Sequence, residues 1–90
     1  MQQAAVLETS RSPGFQAAEA MAEGARRMLG IADALLAAGR AVDLGGFEAQ
    51  VARLCLGILA LPAAEGRALA PTLTRLRRQV EQLRAAMPPP

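Results

Sequence analysis

The sequence predicts an all-α fold, a small antiparallel three-helix bundle. Three observations carry that expectation. The apolar residues are mainly Ala and Leu, the strongest helix formers, while β-branched residues are few: Val6, Ile31, Val42, Val51, Ile58, Val80 and some Thr. Apolar positions recur at steps of three and four in three separate stretches. Helix start and stop signals fall between those stretches, at Ser12-Pro13, Gly39, Asp43 and Pro62. A chain of 90 residues forms one domain at most.

The first helix is expected over roughly 13–38. Ser12 can cap its free N–H groups, and Pro13 suits the first turn, where a missing N–H is no loss. Phe15, Ala18, Ala22, Ala25, Leu29, Ala32 and Leu36 form its apolar stripe, which Met21, Met28 and Leu35 widen. Glu19, Glu23, Arg26, Arg27 and Asp33 take the other side, and Gly39 supplies a left-handed stop. The second helix, roughly 44–60, has Asp43 as N-cap, with Val42 and Phe47 spaced as a hydrophobic staple. Leu44, Phe47, Val51, Leu54, Ile58 and Leu61 alternate steps of three and four, and Cys55, Leu56 and Leu59 extend the apolar surface. A helix apolar over most of its circumference is expected to be buried, so this one is expected at the centre. The third helix, roughly 62–87, opens at Pro62 and carries Leu69, Leu73, Leu76, Val80, Leu83 and Met87 in phase across Pro71, where a kink is expected. Residues 1–11 are expected to be a flexible start, 12–87 the helical domain, and 88–90 a disordered Pro tail.

Unequal helix lengths suggest where a partner would bind. At 1.5 Å per residue the outer helices outrun the second by roughly 12 Å each. The expectation is that their overhanging stripes lack cover within the monomer. The candidate partner-binding residues are then Val80, Leu83 and Met87, flanked by Arg77 and Arg84, at one end. Phe15 and Met21, with Ala18 between them, are the candidates at the other. The partner is expected to be a protein helix or a second copy, held by apolar anchors and steered by the arginines.

Composition argues against catalysis and cofactors. The chain has no His and no Lys, and Cys55 is its single cysteine, so no base stands ready for a nucleophile and no metal-ligand spacing occurs. No catalytic, metal or cofactor-binding residue is therefore assigned, and the protein is expected not to be an enzyme. Cys55, among Leu54, Leu56 and Leu59, is expected to be a buried and inert thiol. Gly24, Gly30 and Gly57 are expected to permit tight helix crossings, as are Gly45 and Gly46, where anion binding at a helix N-terminus is the lesser alternative. No run is long and apolar enough for a membrane span, and no signal peptide is evident, so a cytoplasmic location is expected. The Ala, Arg, Gly and Pro bias fits a GC-rich bacterial genome. Charge is uneven: Arg53, Arg67, Arg75, Arg77, Arg78 and Arg84 face only Glu65 and Glu81 in the second half. A basic face on the third helix is thus the basis for an alternative, nucleic-acid-associated function. Against it stand the lack of aromatic residues for base stacking and of a helix-turn-helix signature.

The heptad-spaced stretch from Leu69 to Met87, with Leu73-Thr74-Arg75-Leu76-Arg77-Arg78 at its centre, resembles the small helical bacterial flagellar export chaperones of the FlgN and FliT kind. The resemblance implies a helical hairpin or small bundle that holds a terminal helix of an exported subunit. It carries over no individual functional residue.

Overall fold

The computed structural model describes residues 11–88 and contains three α-helices: α1 (Pro13–Ala37), α2 (Leu44–Leu59) and α3 (Ala63–Ala86). Among the described residues there is no strand, and each helix packs against both others. The chain is a small all-α three-helix bundle, and its helix ends fall within a residue of those expected. The flexible start and Pro tail lie outside the described residues, apart from Arg11 and Pro88.

Local chemistry explains each boundary. Ser12 is extended, and its hydroxyl accepts from the Phe15 N–H at 3.0 Å, with Pro13 in the first turn. At the other end of α1, Gly39 adopts φ 78°, which a side chain would resist. Its N–H donates to the Leu36 carbonyl and that of Arg40 to the Leu35 carbonyl, the paired bonds of a Schellman stop. Asp43 caps α2 by accepting from the Gly46 N–H at 3.1 Å, and Val42 and Phe47 both pack on the core. A Cβ at Gly46 would lie 2.8 Å from the Asp43 carboxylate. The small residue there serves the cap, not a helix crossing as expected, and the Gly46 N–H is engaged by Asp43. α3 runs through Pro71 without a break.

The core is wholly apolar among the described residues. Phe15, Ala18, Ala22, Ala25, Leu29 and Ala32 come from α1, Val51, Leu54 and Ile58 from α2, and Leu69, Leu76, Val80 and Leu83 from α3. Leu36, Val42, Leu44, Phe47, Leu61 and Leu73 pack around that cluster while half-buried. Phe47 therefore belongs to the rim and not to the fully buried centre. α2 is also less central than expected. Leu56 and Leu59 are 68% and 75% exposed, because a helix in a three-membered bundle contacts neighbours on two sides only.

One polar clamp ties the ends of the bundle. Glu65, in the first turn of α3, accepts from the Ser12 hydroxyl at 2.6 Å and from the Ser12 N–H at 3.0 Å. The cap of α1 is thereby bound to the start of α3, 53 positions away in sequence. These bonds, the hydroxyl's first, hold the Glu65 carboxyl below the ordinary glutamate range, with Arg11 nearby adding to the effect. Because the folded value is depressed, the clamp's contribution is fully present above the unfolded glutamate value of about 4.3 and is lost as pH falls through the folded value. Glu65→Gln should thus destabilise the chain at neutral pH and flatten its stability between pH 5 and acid. Urea denaturation at a series of pH values would check this, and an unchanged acid profile would show the clamp to be idle.

Candidate interaction surface

The overhang expectation is corrected by the packing. Phe15, Val80 and Leu83 are buried within the monomer, with Val80 at 5% and Leu83 at 3% exposure, and Ala18 is buried too. Met87 is half-buried. The reason is the direction of the helices. In an up-down-up bundle α1 and α3 run parallel and are nearly equal in length, 25 and 24 residues, so each covers the other where α2 is short. The Ser12–Glu65 clamp fixes their starts side by side, and Leu29 and Leu83 flank the same crevice further along. Val42 and Leu61, which lie just outside α2, extend its cover as well.

The flanking arginines do not frame a docking site either. Arg84 pairs with Glu48 of α2 and with Glu81 one turn back. Arg77 is exposed and lines the α2–α3 groove beside Cys55, whereas Arg75 and Arg78 line the α1–α3 groove. At about 100° per residue the α3 arginines point in several directions, so they form no single basic stripe. The α1–α3 groove, about 520 Å³, is mixed in sign, since Glu19, Glu23 and Arg26 form its other wall. Arg26 donates to Glu23 at 2.5 Å, which holds the Glu23 carboxyl below and the Arg26 guanidinium above their ordinary ranges. Cys55 is half-buried at the α2–α3 interface instead of enclosed by leucines, because Leu56 and Leu59 turn outward.

Of the expected site residues on the apolar stripes, Met21 is the one that is exposed, and it leads to the larger surface. Met21, Met28, Ile31 and Leu35 are 40–54% exposed. With Ala17 and Gly24 they continue the four-three spacing from 17 to 35, a second heptad row on α1. This row lies one residue before the buried row at every step: 17, 21, 24, 28, 31, 35 against 18, 22, 25, 29, 32, 36. One residue is about 100° of rotation, so burying one row leaves the other on the flank. The signal was present in the sequence, but Met21, Met28 and Leu35 read there as a widening of one stripe.

Gly24 sits in this exposed row. A Cβ placed there would meet only the tip of the Arg27 side chain, at 3.9 Å, and those at Gly30 and Gly57 would meet nothing within 4 Å. These glycines do not serve tight crossings inside the monomer, contrary to expectation. Gly14 does lie at a close approach, where a Cβ would come 3.1 Å from the Leu61 side chain.

Among the described residues no group of three or more potential metal ligands occurs, and no helix is long and apolar enough to cross a membrane. No family model, characterised protein or solved structure matches this chain.

Proposed function

We propose that this chain is a non-enzymatic helical interaction module, an adaptor, chaperone-like protein or small assembly subunit that docks an amphipathic helix. The observation that supports this reading is the exposed heptad row of α1. Rows of large apolar side chains at helical spacing, outside a core that is already complete, mark contact surfaces on small proteins. The site therefore moves from the overhangs to Met21, Met28, Ile31 and Leu35. A chaperone of the flagellar-export kind is one form the function takes in this reading, with an exported helix lying along α1. A bacterial, cytoplasmic setting accords with the composition and the lone cysteine. The nucleic-acid alternative has less support, since the α3 arginines diverge and Arg84 is engaged with Glu48.

Affinity capture from the native cell tests the reading, using the wild-type chain beside Met28→Glu/Ile31→Glu. Those side chains are about half exposed, so the double variant should keep its helical spectrum and lose the captured protein. Capture should also persist between about 50 and 200 mM salt, a range over which phosphate binding weakens by orders of magnitude. Salt-sensitive capture of nucleic acid that is indifferent to the double substitution would favour the alternative.

A further inference from the structure

We infer that the groove between α2 and α3 docks an acidic amphipathic helix, as a contact surface separate from the exposed row of α1. The groove has two parts, of about 350 and 380 Å³, and both are lined by Cys55 and Arg77. They join there into one groove that runs from Glu48 and Glu81 to the α2–α3 turn at Leu61 and Ala63. Its walls follow from the core. On α2 the lining residues Ala52, Cys55 and Leu59 each come one position after a buried residue, and on α3 Ala70, Arg77 and Glu81 do the same.

The shape suits a helix. From Ala63 to Glu81 the groove extends about 27 Å at the helical rise, or about five turns. Ala52, Ala63 and Ala70 keep the walls low, so a backbone can come close. Leu59 stands beside them at 75% exposure, an apolar side chain with no cover of its own.

Charge selects the partner. Glu48 and Glu81 are the two acids on the lining, and Arg84 pairs with both. Arg67 and Arg77 are exposed on the same groove, and neither forms an ion pair among the described residues. Arg77 and Arg84 thus frame no site at the end of α3, but Arg67 and Arg77 stand over one groove. Two uncompensated guanidinium groups, about 15 Å apart along α3, border a floor that includes Ile58, Leu73 and Val80. An acidic helix meets both arginines at once and lays its apolar face on that floor. A fatty acid has one carboxylate and reaches one of them. A nucleic acid finds no aromatic side chain to stack on and leaves the floor unused. The α1–α3 groove makes no such choice of sign, since Glu19 and Glu23 line it opposite Arg75 and Arg78.

Cys55 reports occupancy, because it is the single thiol of the chain and lines both parts of the groove. The rate at which a thiol reagent labels it is measured with and without a helical peptide that carries heptad-spaced leucines flanked by glutamates. A second peptide has lysines in place of the glutamates. The acidic peptide should slow labelling about tenfold or more at saturation, and the basic one should leave the rate unchanged at the same concentration. Arg67→Glu/Arg77→Glu alters exposed side chains, so the helical spectrum and urea midpoint should hold. That variant should bind the acidic peptide at least about tenfold more weakly and should now prefer the basic one. Met28→Glu/Ile31→Glu should leave protection of Cys55 as it is. Absence of protection by the acidic peptide, or equal protection by the two peptides, overturns the inference. So does protection by dodecanoate or a single-stranded oligonucleotide in its place. If binding of the acidic peptide is lost in Met28→Glu/Ile31→Glu and kept in Arg67→Glu/Arg77→Glu, the peptide lies on α1. The groove then fails as a docking site, and the interaction-module reading stands.

Discussion

Val80→Asp/Leu83→Asp should unfold the chain at room temperature. Both side chains lie inside the bundle, at 5% and 3% exposure, and no buried polar or charged side chain stands near to receive a carboxylate. A carboxylate there either stays ionised without solvent or takes up a proton, and each route costs several kcal/mol. Two such penalties consume the whole stability of a small domain, whose total is about 5–15 kcal/mol and nearer the lower figure at this size. The far-UV circular dichroism spectrum should show loss of helix, with no cooperative urea transition left. A variant that kept a native transition would mean that the far end of α3 is not part of the core. The contrast with Met28→Glu/Ile31→Glu is informative. The same kind of substitution is expected to be mild there, because those side chains are already half in water.

Leu54→Ala should be the costliest single truncation in α2, by about 2–5 kcal/mol, because the lost apolar contacts leave a cavity that the bundle cannot close. Leu54 is 1% exposed and, with Leu76, is among the most completely enclosed large side chains. The urea midpoint should fall while the slope stays constant, the signature of lost stability without a change in the surface exposed on unfolding. Leu56→Ala provides the internal control. Two positions along the same helix, Leu56 is 68% exposed, and its truncation should stay within about 0.5 kcal/mol. Equal effects at the two positions would contradict the orientation of α2.

The difference between Leu54 and Leu56 also marks how far the site could be read from sequence. Both are leucines in a run from Leu54 to Leu61 that is apolar on most sides, and periodicity there cannot choose a face. α1 posed the same ambiguity in a sharper form, with two heptad rows one residue apart. Its buried row holds more Ala, and its exposed row holds Met21, Met28, Ile31 and Leu35. Hydrophobicity alone would rank the exposed row higher. The smaller residues are inside because three helices can approach closely only where side chains are short. The overhang was misplaced for a different reason. The lengths of the outer helices relative to α2 do not expose their ends, because α1 and α3 are parallel and shield each other.

What the sequence by itself determined is local. Ser12, Gly39, Asp43 and Pro62 set the helix limits through capping, a left-handed turn and a missing N–H, all of which act within a few residues. The three-helix count and the apolar periodicity of α1 and α3 followed from spacing on those same segments. Only the tertiary structure decided which faces stayed outside. It made Glu65 a clamp on Ser12, sent the α3 arginines to different grooves, and left the row from Ala17 to Leu35 without cover. Burial is a property of neighbours, and the neighbours of α1 are set by how α2 and α3 return along it.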